Sequence, residues 1–142
     1  MRVFLDTNVL FSGLYSSRGP PSRIVDAAEE GRFELVLSVD VLVELIRNFR
    51  KKAPQLMEAL SQFLALAQPA FVEAGEEDSR ARYDAGFGSD APIVAAAQAA
   101  DVDYFCTGDR RLLRRAAGGR LGSLRVVSPG GLLDLLEAAD HT

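Results

Sequence analysis

Short apolar runs alternate along this chain with longer stretches whose apolar residues return every three or four positions. The two periods predict strands and helices in turn. Arg2 to Leu5 reads as a buried strand, and Asn8 to Tyr15 starts a helix that Ser16-Ser17-Arg18-Gly19-Pro20 breaks. Pro21 to Glu30 predicts a second helix, stopped by Gly31, and Phe33 to Leu37 a strand. Ser38 suits the N-cap of a helix running to about Arg50, with Val41, Leu42, Leu45, Ile46 and Phe49 as its apolar stripe. Pro54 to Ala67 reads as a further helix, with Leu56, Leu60, Phe63, Leu64 and Ala67 on one side, and Phe71-Val72-Glu73 as a short strand.

Asp84 to Ser89, with Gly86 and Gly88, reads as a loop. Beyond it lie an alanine-rich helix from Asp90 to Ala100, with Pro92 in its first turn, and a strand from Val102 to Cys106. A helix from Arg110 to Ala117, a strand from Leu124 to Val127 and a closing helix from Pro129 to Ala139 complete the pattern. Strand and helix in alternation predict a three-layer α/β/α sandwich with a mainly parallel sheet, one domain over residues 1–142. Ligands of such sheets bind outside the carboxyl ends of the strands.

Composition narrows this picture by exclusion. With one cysteine, Cys106, the chain has no disulfide framework and no Cys-rich zinc site, and a reducing cytoplasm is the expected home. The apolar start Val3-Phe4-Leu5 is cut by Asp6 too early for a signal-peptide core, and no apolar run suffices to span a bilayer. Net charge of −4 argues at first against a nucleic-acid partner. The distribution softens that: six arginines and no acid lie between Arg110 and Arg125, Arg47, Arg50, Lys51 and Lys52 form a second basic cluster, and Glu73 to Asp78 is acidic. Both basic clusters are compatible with RNA and equally with solvated helix faces.

Three aspartates share an address. Asp6 ends the first strand, Asp109 follows the Tyr104-Phe105-Cys106 strand, and Asp90 opens the helix that feeds it. Asp90 and Asp109 also suit helix N-caps, and Asp6 an Asx turn with the backbone of Asn8. Several acids at one sheet edge repel one another and raise each other's pKa values, a difficulty that a divalent cation removes. Hard oxygen donors suit Mg²⁺ or Mn²⁺. By helical spacing Glu44 falls with Asp40, Arg47 and Asn48 on the polar side of its helix and reads as solvated.

The motifs Leu5-Asp6-Thr7-Asn8-Val9-Leu10, Val43-Glu44-Leu45 on a helix, Ser89-Asp90-Ala91-Pro92-Ile93-Val94-Ala95-Ala96-Ala97 and Tyr104-Phe105-Cys106-Thr107-Gly108-Asp109 together resemble those of PIN domains. The likeness is to the VapC-like ribonucleases that serve as toxins of prokaryotic toxin–antitoxin systems. It implies a catalytic and metal-binding pocket of Asp6, Glu44, Asp90 and Asp109, holding one or two Mg²⁺ or Mn²⁺ ions and hydrolysing RNA to 5′-phosphate and 3′-hydroxyl ends. Asn8 and Thr107 match polar positions that line such pockets. Many relatives carry a further acid where this chain has Arg111, so the number of metals stays open. His141, the only histidine, is next to last, which excludes a paired-histidine route to RNA cleavage.

Arg110, Arg111, Arg114 and Arg115 start at the expected site and are placed to hold the phosphates of single-stranded RNA without reading sequence. The resemblance also implies a cognate antitoxin and a homodimer, for which the helix from Leu56 to Ala67 is one place, although core packing explains its stripe equally well. Haloacid-dehalogenase-like phosphatases and receiver domains share an aspartate after the first strand. The former need a second aspartate at the position of Asn8, and both usually need a late lysine, whereas the only lysines are Lys51 and Lys52. A housekeeping RNA-processing nuclease and a non-catalytic PIN-like binding module are the remaining alternatives.

Overall fold

A computed structural model of the chain describes residues 1–140; His141 lies outside them. In chain order the elements are β1 (Arg2–Leu5), α1 (Thr7–Tyr15), α2 (Pro20–Glu29), β2 (Glu34–Ser38), α3 (Val39–Lys52), α4 (Met57–Ala67) and β3 (Ala70–Val72). They continue with α5 (Glu76–Arg82), α6 (Ala91–Ala99), β4 (Tyr104–Cys106), α7 (Arg110–Arg115), β5 (Arg120–Leu121), β6 (Leu124–Val127) and α8 (Pro129–Asp140). The sheet runs β3-β2-β1-β4-β6-β5, parallel except for β5 against β6. Helices cover both of its faces, giving the three-layer sandwich that the alternation predicts.

The central strands are buried on both sides, which is why they read as unbroken apolar runs rather than alternating ones. Val3, Phe4 and Leu5 of β1, Leu35, Val36 and Leu37 of β2, and Phe105 and Cys106 of β4 are all in the core. The rings of Phe4 and Phe105 meet across the β1–β4 pair at 5.6 Å. Ser38 closes β2 and caps α3, its hydroxyl accepting from the Val41 N–H at 3.2 Å. α6 is buried nearly all round, as its uniform alanine content allows. In α4, Leu60 and Phe63 are buried and Leu64 and Ala67, with Leu56 in the 3-10 turn just before it, pack against the core, so that stripe belongs to the interior of this chain.

Several readings of the sequence are corrected. The acidic stretch at Glu73–Asp78 leads into helix α5, which has no apolar stripe to announce it. What stabilises α5 is charge: Glu76, Glu77 and Asp78 sit in its positive first turn and Arg80 and Arg82 near its end. The segment 84–89, read as a loop, is wound into a π turn at Tyr83–Phe87 and a 3-10 turn at Gly88–Asp90, with Gly86 at φ 95°. β5 is too short for any periodic signal. The fourth strand starts at Tyr104 rather than Val102, after Asp101 has turned through a left-handed φ of 51°. Among the described residues no helix is long and apolar enough to cross a membrane.

Helices α1 and α2 approach closely at Gly13, where an added Cβ would fall 2.5 Å from both the Pro21 carbonyl oxygen and Val25 Cγ2. Gly13→Ala is therefore expected to destabilise the fold by about 1–3 kcal/mol, the usual range for overpacking. Chemical denaturation measures this, and an unchanged midpoint would mean that the two helices are not in contact there.

Candidate active site at the carboxyl edge of the sheet

The register of β1 on β4 pairs Leu5 with Cys106, so the residues that leave these strands, Asp6 and Thr107, emerge side by side. The Asp6 N–H donates to the Cys106 carbonyl at 2.9 Å, and the Thr107 hydroxyl donates to Asp6 Oδ2 at 2.8 Å. Asp6 Oδ1 accepts from the Thr7 N–H at 2.8 Å, which makes Asp6 the N-cap of α1; the alternative of an Asx turn to the Asn8 backbone is not formed. Asn8 joins through its side chain instead. Its Nδ2 donates to Asp6 Oδ2 at 3.3 Å, and its Oδ1 accepts from the Gly108 N–H at 2.8 Å. Asp6 is only 7% exposed and Thr107 is fully buried.

Asp109 caps α7, its Oδ1 accepting from the N–H groups of Arg111 at 2.8 Å and Leu112 at 3.4 Å. The Thr107 hydroxyl also accepts from the Asp109 N–H at 3.0 Å, so one buried threonine fastens both aspartates. Asp90 does not cap α6, contrary to one reading of the sequence. Its backbone is already helical, so its carboxylate is not turned back on the helix end. It lines two adjoining hollows instead, one shared with Glu44 and one with Arg111 and Arg115. Glu44 is half-buried in a cleft of about 420 Å³ opposite Asp90, not on a solvated face. Periodicity could not reveal this, because the turn at Ser89 and Asp90 folds over the polar side of α3.

Electrostatics tie the four acids together. Burial pushes Asp6 from its ordinary 3.8 to about 6, against the lowering effect of Thr107 and the Thr7 N–H, and the charges of Asp90 and Glu44 add to the rise. Glu44 and Asp90 are also raised, first by burial and then by Asp90 and Asp109 respectively. Loss of hydration therefore outweighs the mutual repulsion expected from the sequence. None of Asp6, Glu44 and Asp90 forms an ion pair among the described residues; Asp109 lies 3.9 Å from Arg111. Nor do any three histidine, cysteine, aspartate or glutamate side chains among those residues already stand in a metal-holding group. The acids share a field rather than a finished coordination shell. An all-oxygen, anionic, partly desolvated set of this kind fits a hard divalent cation, which would relieve every one of these shifts.

The arginines of α7 divide by role. Arg115 donates to the Ala85 carbonyl and lies 3.9 Å over the Phe87 ring, so it fastens the turn that carries Ser89 and Asp90. No sequence pattern marks that use: Gly86 is required by its φ of 95°, and a Cβ there would in addition meet Arg115 at 3.2 Å. Arg111 is highly exposed beside the cleft, and Arg110 and Arg114 are exposed on the helix. Cys106 is buried behind Asp6, with its thiol pushed up to about 12 by burial, and is chemically quiet.

The sequence pattern described as "PIN domain" matches residues 2–111. No curated protein matches the chain. Among solved structures, the chain is similar to the crystal structure of VapBC2 from Rickettsia felis bound to a DNA fragment from their promoter, with a TM-score of 0.65. That likeness covers 90% of this chain and 98% of the other at 17% identity, and speaks for the fold alone.

Because folded Asp6 holds its proton more tightly than the unfolded chain does, the contribution of Asp6 to metal-free stability is full below about pH 4 and is lost as pH rises through about 6. A shift of roughly two units corresponds to about 3 kcal/mol. The stability difference between wild type and Asp6→Asn, measured by denaturation in EDTA from pH 4 to pH 7.5, is expected to change by about that amount; a pH-independent difference would refute the burial of an ionised Asp6. Arg115→Ala is expected to speed amide exchange over residues 83–90 about fivefold, equivalent to ~1 kcal/mol of lost anchoring, while β1 and β4 exchange as before. Equal exchange in that turn would show that Arg115 does not hold it.

Proposed function

The chain belongs to the PIN domain family, and from that premise we propose that it is a divalent-metal-dependent endoribonuclease, the toxin of a toxin–antitoxin pair. The observation that supports this reading most is the meeting of Asp6, Glu44, Asp90 and Asp109 in one field at the carboxyl edge, with no ion pair to the first three among the described residues. These four would hold Mg²⁺ or Mn²⁺. A bound ion supplies a water of lowered pKa and neutralises charge on the phosphoryl oxygens.

The chain's own residues do the positioning. Thr107 and the Thr7 N–H keep Asp6 oriented, and Asn8 ties that carboxylate to the Gly108 backbone. Asp109 keeps one oxygen on the α7 cap and has the other for the ion. Burial around Asp6 excludes water from its side of the site, so the field of a bound ion is weakly screened there.

RNA as substrate, an antitoxin protein as partner, assembly as a homodimer and residence in the cytoplasm belong to the same reading. The fold shared with promoter-bound VapBC2 supports the toxin–antitoxin part, and the buried, unpaired Cys106 suits a reducing compartment. Purified protein is expected to cleave a labelled, mixed RNA pool with Mn²⁺ or Mg²⁺, and to lose at least about a hundredfold in rate with EDTA or with Asp90→Asn, on the scale of removing one charge-stabilising group. Absence of cleavage by folded wild-type protein with either ion would overturn the enzymatic reading in favour of a non-catalytic binding module.

A further inference from the structure

Three hollows on the surface run into one another. The largest, of about 590 Å³, is lined by Val43, Ile46, Arg47, Arg50 and Lys51 on the outer face of α3. It shares Val43 and Arg47 with the cleft that holds Glu44 and Asp90. That cleft in turn shares Ser89 and Asp90 with a hollow bordered by Arg111 and Arg115. The result is a single trench, anionic in the middle and cationic at both ends, on a chain whose net charge is −4.

The α3 end is the more developed. Arg47, Arg50 and Lys51 are exposed, and none of the three forms an ion pair or a side-chain hydrogen bond with another described residue. Lys52 is separate, lying over the Phe11 ring at 5.7 Å. Between the cations the floor is apolar, and Val43 is 47% exposed there.

Resting on the ribonuclease reading above, we propose that the Arg47–Arg50–Lys51 groove is the track along which single-stranded RNA leaves the acidic centre. One strand would lie across the whole trench, with its phosphates on these cations and on Arg111. The chemistry selects this occupant. A cationic rim over an apolar floor matches a polymer that offers phosphates and apolar base faces together, and a duplex hides those faces in its stack. A strand charged at every step also engages both cationic ends at once, with a metal ion offsetting the acids between them. The main basic contact therefore lies on α3; of the two α7 arginines that border the trench, Arg115 is held by the Ala85 carbonyl, and Arg111, 3.9 Å from Asp109, is highly exposed.

The test measures binding of a labelled single-stranded RNA by anisotropy across a salt series, in an Asp90→Asn background that holds cleavage off. Arg50→Glu with Lys51→Glu is expected to weaken binding at least about tenfold and to flatten the log–log salt slope by about 1.4, at ~0.7 for each lost phosphate contact. Arg50→Lys with Lys51→Arg is expected to keep both values. Thermal melting checks that each variant is folded, and Arg50→Gln with Lys51→Gln replaces the reversal if it is not. If the parent protein binds and cleaves RNA while the reversal changes neither affinity nor slope, the track is wrong and the ribonuclease reading stands. If wild type neither binds nor cleaves RNA, that reading fails and the track with it. RNA binding that is spared while self-association in sedimentation is lost would assign the groove to a second copy of the chain and overturn the proposal.

Discussion

Everything at the carboxyl edge of the sheet depends on how β1 and β4 lie side by side. Their parallel register sets Leu5 against Cys106, and the next residue of each strand, Asp6 and Thr107, becomes a buried hydrogen-bonded pair. From Asp6 the chain turns into α1, and from Thr107 it turns through Gly108 and Asp109 into α7. One threonine hydroxyl serves three partners there: it donates to Asp6 and accepts from Asn8 and Asp109. Replacing it with an apolar group would leave a desolvated carboxylate short of a donor, the costly half of a broken buried hydrogen bond.

That arrangement carries a standing electrostatic cost. A carboxylate at 7% exposure has lost most of its hydration, and the nearby Asp90 and Glu44 make its charge harder to bear. Two donors, Thr107 and the Thr7 N–H, offset this only in part. The fold therefore holds its acids in a state that a nearby cation would improve. Stability and the proposed activity pull in opposite directions at this edge, as is common where charges are preorganised for chemistry.

Around this centre the chain sorts its charges by layer. Asp90 arrives on a tightly wound turn held by Arg115 and Phe87, and Glu44 arrives on the second turn of α3. The cations at the far end of α3 also complement the negative end of that helix. Their placement is thus favourable for the helix itself as well as for an anionic ligand, and the two roles reinforce one another.

What was legible in the sequence is what local order encodes. Unbroken apolar runs marked the buried parallel strands, Ser38 marked the start of α3, and the aspartates after two neighbouring strands marked the site edge. Helix α5 escaped because charge at its ends, not an apolar stripe, stabilises it, and β5 escaped because two residues carry no period. Position Glu44 was readable only through the resemblance of its motif, since its own helix places it on the polar side. The tertiary structure alone decided that this side faces Asp90 across a cleft, that Asp90 leaves its helix uncapped, and that Arg115 is spent on anchoring a turn. These are contacts between segments far apart in the chain, set by strand register and helix packing, and no pattern within a single segment records them.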